Sequence, residues 1–170
     1  MHSIVFRLVY DLLCAWVLLH HQILEEAEHP DYAGPEGSKL REEAAALNRE
    51  AIAAFDAGDK GKGSELKKAY HKKQEEAAAA IFKHRNADAG LDAFAMDLHG
   101  LLLHEAIDVV TQRLADVQVD ANKGKTLDII TGAGHHSAGG KAVIKPKVEE
   151  LLQEKGIAFE EKTGDLVVAL

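Results

Sequence analysis

A β-branched apolar run that halts at a glycine-rich loop and resumes as a helix leaves few architectures open, and residues 126–146, TLDIITGAGHHSAGGKAVIKP, have that form. Thr126 to Thr131 reads as a strand ending at Gly132. A loop of Gly, His and Lys follows. A helix is predicted to open near Lys145 and Pro146, because proline in the first helical turn lacks only an N–H that would have no partner there. Strand, loop and helix N-terminus make a concavity in which backbone N–H groups can converge on one anion. A short partner, Met96-Asp97-Leu98-His99-Gly100, lies upstream.

Local charge supports an anion more than total charge does. The chain of 170 residues carries a net charge of −8, which argues against a protein that coats nucleic acid by bulk electrostatics. Between Ala121 and Lys147, however, Lys123, Lys125, Lys141, Lys145 and Lys147 face a single acid, Asp128. A basic loop beside phosphate-binding backbone suits a nucleic-acid backbone; the alternative is a set of solvated loop lysines. Cys14 is the single cysteine, so neither a disulfide framework within the chain nor a multi-cysteine zinc site is open to it. A reducing compartment, cytoplasm or nucleus, is the expectation. The 10 histidines run from His2 to His136 without ligand spacing, so no metal site is assigned. With aromatic residues at 5%, base stacking is not expected to carry much affinity.

Residues 1–30 are read as an apolar N-terminal helix. Ile4 to Leu19 is apolar but interrupted by Arg7 and Asp11 and closed by His20 and His21, short of the roughly 18 uninterrupted apolar residues a membrane span requires. It lacks the charged start and small-residue cleavage pattern of a secretory signal. Packing on the protein or a partner is the expectation, with a membrane anchor or a spurious start as alternatives. Asp31 to Gly37 reads as a turn-rich linker.

A helical hairpin is expected over residues 31–88. Ser38 is a candidate N-cap, and Leu40, Ala44, Leu47, Ala51 and Phe55 recur at helical spacing. Gly58-Asp59-Lys60-Gly61 breaks that helix; Ser64 is the candidate cap of a second, striped by Leu66, Tyr70, Ala77 and Ile81 and running to about Arg85. Lys60, Lys62, Lys67, Lys68, Lys72 and Lys73 give this region a basic face, either a track for phosphates or a solvated surface. The second domain spans residues 92–170. Ala93–Leu98 reads as a strand, Leu101–Val117 as a helix, Thr126–Thr131 as a strand and Ile144 to Gly156 as a helix. Ile157–Glu161 and Leu166–Leu170 then form a hairpin around Lys162-Thr163-Gly164-Asp165. The order β-α-β-α-β-β implies a two-layer α/β sandwich on a small mixed sheet.

Asp97-Leu98-His99-Gly100, Thr131-Gly132-Ala133-Gly134-His135-His136-Ser137 and Ile144-Lys145-Pro146, in this order and spacing, resemble the three marks of the Smr (small MutS-related) domain. Residues from about Tyr32 to Asn86 resemble the helical domain of unknown function that often precedes it in eukaryotic proteins, through Gly58-Asp59-Lys60 and Ile81-Phe82-Lys83-His84-Arg85-Asn86. The resemblance implies a fold like the C-terminal domain of bacterial translation initiation factor three. It also implies nucleic-acid endonuclease activity, on DNA in some members and on messenger RNA at stalled ribosomes in others. Its functional positions fall on Asp97, His99, Thr131, Gly132, Gly134, His136 and Ser137. The family often has basic residues where this chain has Ala133 and Val143, and Lys141 or Lys145 are the candidates to replace them.

The chemistry is consistent with those positions. Side chains alternate along a strand, so Asp97 and His99 share a face at its C-terminal end, where open α/β sheets present their sites. Histidine can exchange a proton at neutral pH, and a carboxylate can hold its tautomer. On RNA a base can release the 2′-OH to attack phosphorus with no cofactor; on DNA that nucleophile is missing, and a divalent metal on Asp97 and His99 becomes the expected device. Two readings stand. One is an endonuclease, acting on RNA and linked to ribosomal quality control, with Asp97 and His99 transferring protons. The other is a non-catalytic module that binds nucleic acid or a ribosomal surface.

Overall fold

The computed structural model describes residues 30–132 and 142–170. The apolar segment at residues 1–24 lies outside them. Among the described residues no helix is long and apolar enough to cross a membrane.

Helix α1 (Pro30–Asp56) and helix α2 (Lys60–Arg85) are joined by Ala57-Gly58-Asp59. They run antiparallel, since a Cβ at Gly37 would meet Ile81 near the far end of α2 and one at Gly63 would meet Phe55 near the turn. Small residues let the helices approach closely: Ala44, Ala51, Ala54, Gly63 and Ala77 are all buried. Phe55 is 44% exposed, lying along Gly63 instead of entering a core.

The expected linker at Asp31–Gly37 is corrected to helix. It is broken only at Gly34 (φ 65, ψ 169), where a Cβ would lie 2.7 Å from the His84 ring, and Pro35 restarts the helix with a φ that proline already favours. Ser38 is therefore inside α1, and Ser64 inside α2. The cap of α2 is Asp59, whose carboxylate accepts from the Lys62 N–H at 3.0 Å. The basic face is partly neutralised: Lys67 donates to Asn48 at 2.8 Å and lies over the Tyr70 ring, while Lys73 bridges Glu43 and Glu76.

In the second domain the described residues form a four-stranded mixed sheet in the order β1-β2-β4-β3, from β1 (Ala95–Asp97), β2 (Thr126–Ile130), β3 (Phe159–Lys162) and β4 (Asp165–Ala169). β1 and β2 are parallel; the other pairs are antiparallel. Helices α3 (Leu103–Val117) and α4 (Ile144–Glu154) complete the expected β-α-β-α-β-β order. Leu127, Ile129, Leu166 and Val168 are buried against Ala106, Val110, Leu114, Val148 and Leu152, whereas Thr126 and Asp128 are exposed on the opposite face. That one-sided alternation makes the sandwich two-layered.

β1 stands at the sheet's edge, and its outer side is closed by the hairpin rather than by another strand. The Asn86 side chain accepts from the Asp97 N–H at 2.7 Å and donates to the Asp97 carbonyl at 3.0 Å. A second tie joins α1 to the start of α3, where Arg41 forks onto Glu105 at 2.7 and 2.5 Å. Ala33 and Ile81 enter the same apolar cluster as Met96 and Leu98. The hairpin is thus docked on the strand that carries the Asp-x-His motif.

Candidate active site

Because β1 and β2 are parallel, with Asp97 in register with Ile130, the residues that follow each strand emerge together. His99 and Gly132 meet there. A Cβ at Gly132 would lie 2.5 Å from His99 Nε2, and Gly132 has φ 78, so close approach and backbone conformation both require glycine. Gly100 (φ 82) is equally constrained, with Ile81 and Tyr32 at 3.1 and 3.3 Å from where its Cβ would be.

Met96 and Leu98 point into the core, so Asp97 points off the other face of β1. Its carboxylate accepts four hydrogen bonds. Oδ1 takes the His99 backbone N–H at 2.9 Å and faces His99 Nδ1 at 2.6 Å. Oδ2 takes Arg85 Nε at 3.0 Å and Arg85 Nη2. A carboxylate has about four lone-pair sites, so Asp97 is saturated. Since it can only accept, the proton of the neutral imidazole is on Nδ1, and Nε2, beside Gly132, is the ring nitrogen able to accept a proton. The ring is also held from one face: Tyr32 stacks on His99 with centroids 5.0 Å apart and planes 14° apart, and the Arg85 guanidinium lies 5.4 Å from the Tyr32 centroid.

Burial pushes the Asp97 carboxyl up, but the hydrogen bonds and charge from His99, with the hydrogen bonding of Arg85, outweigh it and hold the group below the ordinary aspartate value. A depressed folded-state value contributes stability that is present above the unfolded value and lost as pH falls through the folded one. Replacing Asp97 by Asn is therefore expected to flatten the acid limb of stability. Thermal unfolding followed from neutral pH to below about 3.9 should show a steeper loss for wild type than for Asp97→Asn, and parallel curves would contradict the assignment.

The remaining site positions divide. Thr131 is buried, and its hydroxyl donates to the Gly164 carbonyl at 3.0 Å. The same carbonyl accepts the N–H groups of Thr131 and Gly132 at 2.9 and 3.0 Å. These groups fasten the loop to the β3–β4 turn instead of pointing at a ligand. Lys145, at the start of α4, donates to Glu161 at 2.7 Å and to the Lys162 carbonyl at 2.9 Å. Val143 precedes α4 and is exposed. Ala133, Gly134, His136, Ser137 and Lys141 lie outside the described residues. Among the described residues no group of three or more His, Cys, Asp and Glu side chains is gathered to hold a metal ion.

Sequence reasoning named Asp97 and His99 but not Arg85, Asn86 or Tyr32, which the structure brings to them. Arg85 and Asn86 were visible as part of a motif that had no assigned role, and Tyr32 was hidden in an expected linker.

The Smr domain family model matches residues 96–164, which include all three motifs. The chain is 32% identical over 136 residues to a Smr domain-containing protein of Schizosaccharomyces pombe, covering 75% of this chain and 64% of that protein. It is 33% identical over 153 residues to Endonuclease NBR9 of Saccharomyces cerevisiae, covering 86% and 61%. To human NEDD4-binding protein 2 it is 41% identical over 98 residues, 55% of this chain and 6% of that one. The chain thus spans less than two thirds of the length of these relatives. The solution structure of the B3BP Smr domain is similar at a TM-score of 0.45 and 38% identity, over 55% of this chain and 92% of that one. Residues 96–164 of this chain are thus an Smr domain, preceded by two long helices.

Proposed function

We propose that this protein is a nucleic-acid endonuclease that cuts RNA, with His99 Nε2 as the proton-transfer atom and Asp97 as the group that orients it. The observation that carries the reading is the saturated Asp97 carboxylate holding His99 by Nδ1, which leaves Nε2 at the Gly132 loop. The name of the yeast relative, an endonuclease, supports the reaction class.

In this mechanism Nε2 takes the proton of a ribose 2′-OH, and the 2′ oxygen bonds to the adjacent phosphorus. The bond to the 5′ oxygen breaks, that oxygen takes a proton from water, and a 2′,3′-cyclic phosphate remains. Asp97 stabilises the imidazolium formed on the way. A metal on Asp97 would have to displace Arg85 or His99 from the carboxylate, which favours the 2′-OH route over metal-activated water and so RNA over DNA. No cofactor is required. We propose further that this activity serves mRNA quality control at the ribosome, a reading supported by the family resemblance alone.

A second reading, a non-catalytic module for nucleic acid or a ribosomal surface, is favoured by one observation: Lys145, a candidate to replace the family's missing basic residues, is tied to Glu161 and the Lys162 carbonyl. The test is incubation of the purified chain with end-labelled single-stranded RNA, DNA of the same sequence, and RNA carrying one 2′-deoxy position, each with and without EDTA. Cleavage of RNA alone, surviving EDTA, absent at the 2′-deoxy position and leaving cyclic phosphate ends, is expected. Binding without cleavage by folded protein would decide for the module, and EDTA-sensitive cleavage of DNA would overturn the 2′-OH route.

A further inference from the structure

We propose that the helical hairpin is part of the reaction centre: Arg85 and Tyr32 are positioning residues that hold the Asp97–His99 pair in the orientation that aims Nε2 at the Gly132 loop. This rests on the reading of His99 as the proton-transfer group.

A hydrogen bond from Nδ1 to a carboxylate does not by itself fix an imidazole. The aspartate can turn about its terminal torsion, which is broad, and the ring can swing with it. Arg85 removes the first freedom, because its Nε and Nη2 both engage Oδ2 and so leave Oδ1 directed at His99. A guanidinium fork does this better than a point charge. Tyr32 removes the second, lying nearly parallel to the ring over one of its faces while Gly132 leaves room at its edge. The Tyr32 ring also lies within reach of the Arg85 guanidinium, so one aromatic ring covers both partners of Asp97.

A purely structural role, fastening the hairpin to the sheet, is the competing explanation. Fastening is already supplied elsewhere. Asn86 brackets the backbone of Asp97, Arg41 forks onto Glu105 and donates to Gln74, and Ala33 and Ile81 are buried in the sheet's own core. Arg85 and Tyr32 instead converge on the side chains of the motif, and both come from outside the span that the family model matches.

The test uses the full chain carrying Arg85→Gln, Arg85→Lys, Tyr32→Leu or, as a hairpin control remote from the pair, Gln74→Ala. Two readouts are taken: nitrogen-15 NMR of the His99 ring, which reports the tautomer without any substrate, and single-turnover RNA cleavage beside RNA affinity. Wild type should show the Nδ1-protonated tautomer. Arg85→Gln and Tyr32→Leu should show a mixture and a cleavage rate lower by about 10²-fold, with affinity little changed. Arg85→Lys should fall between, and Gln74→Ala should keep both tautomer and rate at whatever stability it has. If Arg85→Gln does not fold, Arg85→Lys and Tyr32→Leu carry the same comparison. Wild-type tautomer and rate in folded Arg85 and Tyr32 variants would overturn the proposal, as would equal losses in Gln74→Ala. If wild-type protein cuts nothing, the endonuclease reading fails while the tautomer comparison still decides the positioning role.

Discussion

His99→Gln is expected to lower RNA cleavage by about 10²- to 10⁴-fold, the usual contribution of a positioned general base, while RNA affinity stays near that of wild type. Glutamine is the informative replacement because it keeps an uncharged polar side chain under Tyr32, while the His99 N–H and Arg85 still engage the Asp97 carboxylate, so the β1 end keeps its shape. What it cannot do is accept a proton at neutral pH. His99→Ala removes the polar group as well and opens space under Tyr32, which lets free imidazole be tried as a rescue. Single-turnover cleavage beside filter binding separates the two readings of the site. A fall in rate at constant affinity is the signature of an interaction used in the transition state. An unchanged rate in His99→Gln would remove His99 from the chemistry.

Much of this site was legible because a strand reports its own geometry. The alternation Met96, Asp97, Leu98, His99 places two apolar side chains inward and the polar pair together, and the parallel return of Thr126–Ile130 brings Gly132 alongside. The alternation needs no distant contact, whereas the place of Gly132 beside His99 is seen only once β1 and β2 pair. Arg85 and Asn86 were illegible for the opposite reason. A basic residue and an asparagine at the end of a helix read locally as a favourable dipole contact and a cap, and α2 does use them so, since Asn86 donates to the Phe82 carbonyl at 2.8 Å. Their second partners on β1 depend on how the hairpin docks, and no periodicity encodes that. Tyr32 was lost to turn chemistry: Gly34 and Pro35 signal a loop, but here they mark a break within a helix where α1 crosses His84. Ser38 and Ser64 misled because serine before an apolar stripe is a capping signal, and the better cap, Asp59, lay beside a glycine that looked like a breaker. In the Thr131 loop the glycine signal was correctly placed, but the β3–β4 turn competes for its N–H groups.

The other large effect concerns the joint between the domains, where Glu105→Ala is expected to cost about 3–5 kcal/mol of stability, the range for breaking one partner of a buried ion pair. Glu105 and Arg41 side chains are only 7% and 12% exposed. Glu105 also accepts the Leu102 N–H at 2.8 Å, closing the first turn of α3, so its loss strands a backbone donor as well as a guanidinium. Gln74 can hold only part of the latter, and among the described residues Arg41 Nε already has no hydrogen-bond partner. The pair is therefore costly to break but not necessarily costly to replace. Arg41→Met with Glu105→Leu removes both charges and fills the space with apolar atoms, leaving chiefly the Leu102 N–H to account for. Urea unfolding of the two single variants and the double should show the double losing less than the sum of the singles, with a coupling of about 0.5–3 kcal/mol. Additive losses would mean that the two side chains act separately, with Glu105 needed for its helix turn and Arg41 for Gln74. Coupled losses would mean that α1 is fastened to α3 by electrostatic matching, since an unpaired charge at this joint disfavours every docking of the hairpin except the one that places Arg85 and Tyr32 over Asp97 and His99.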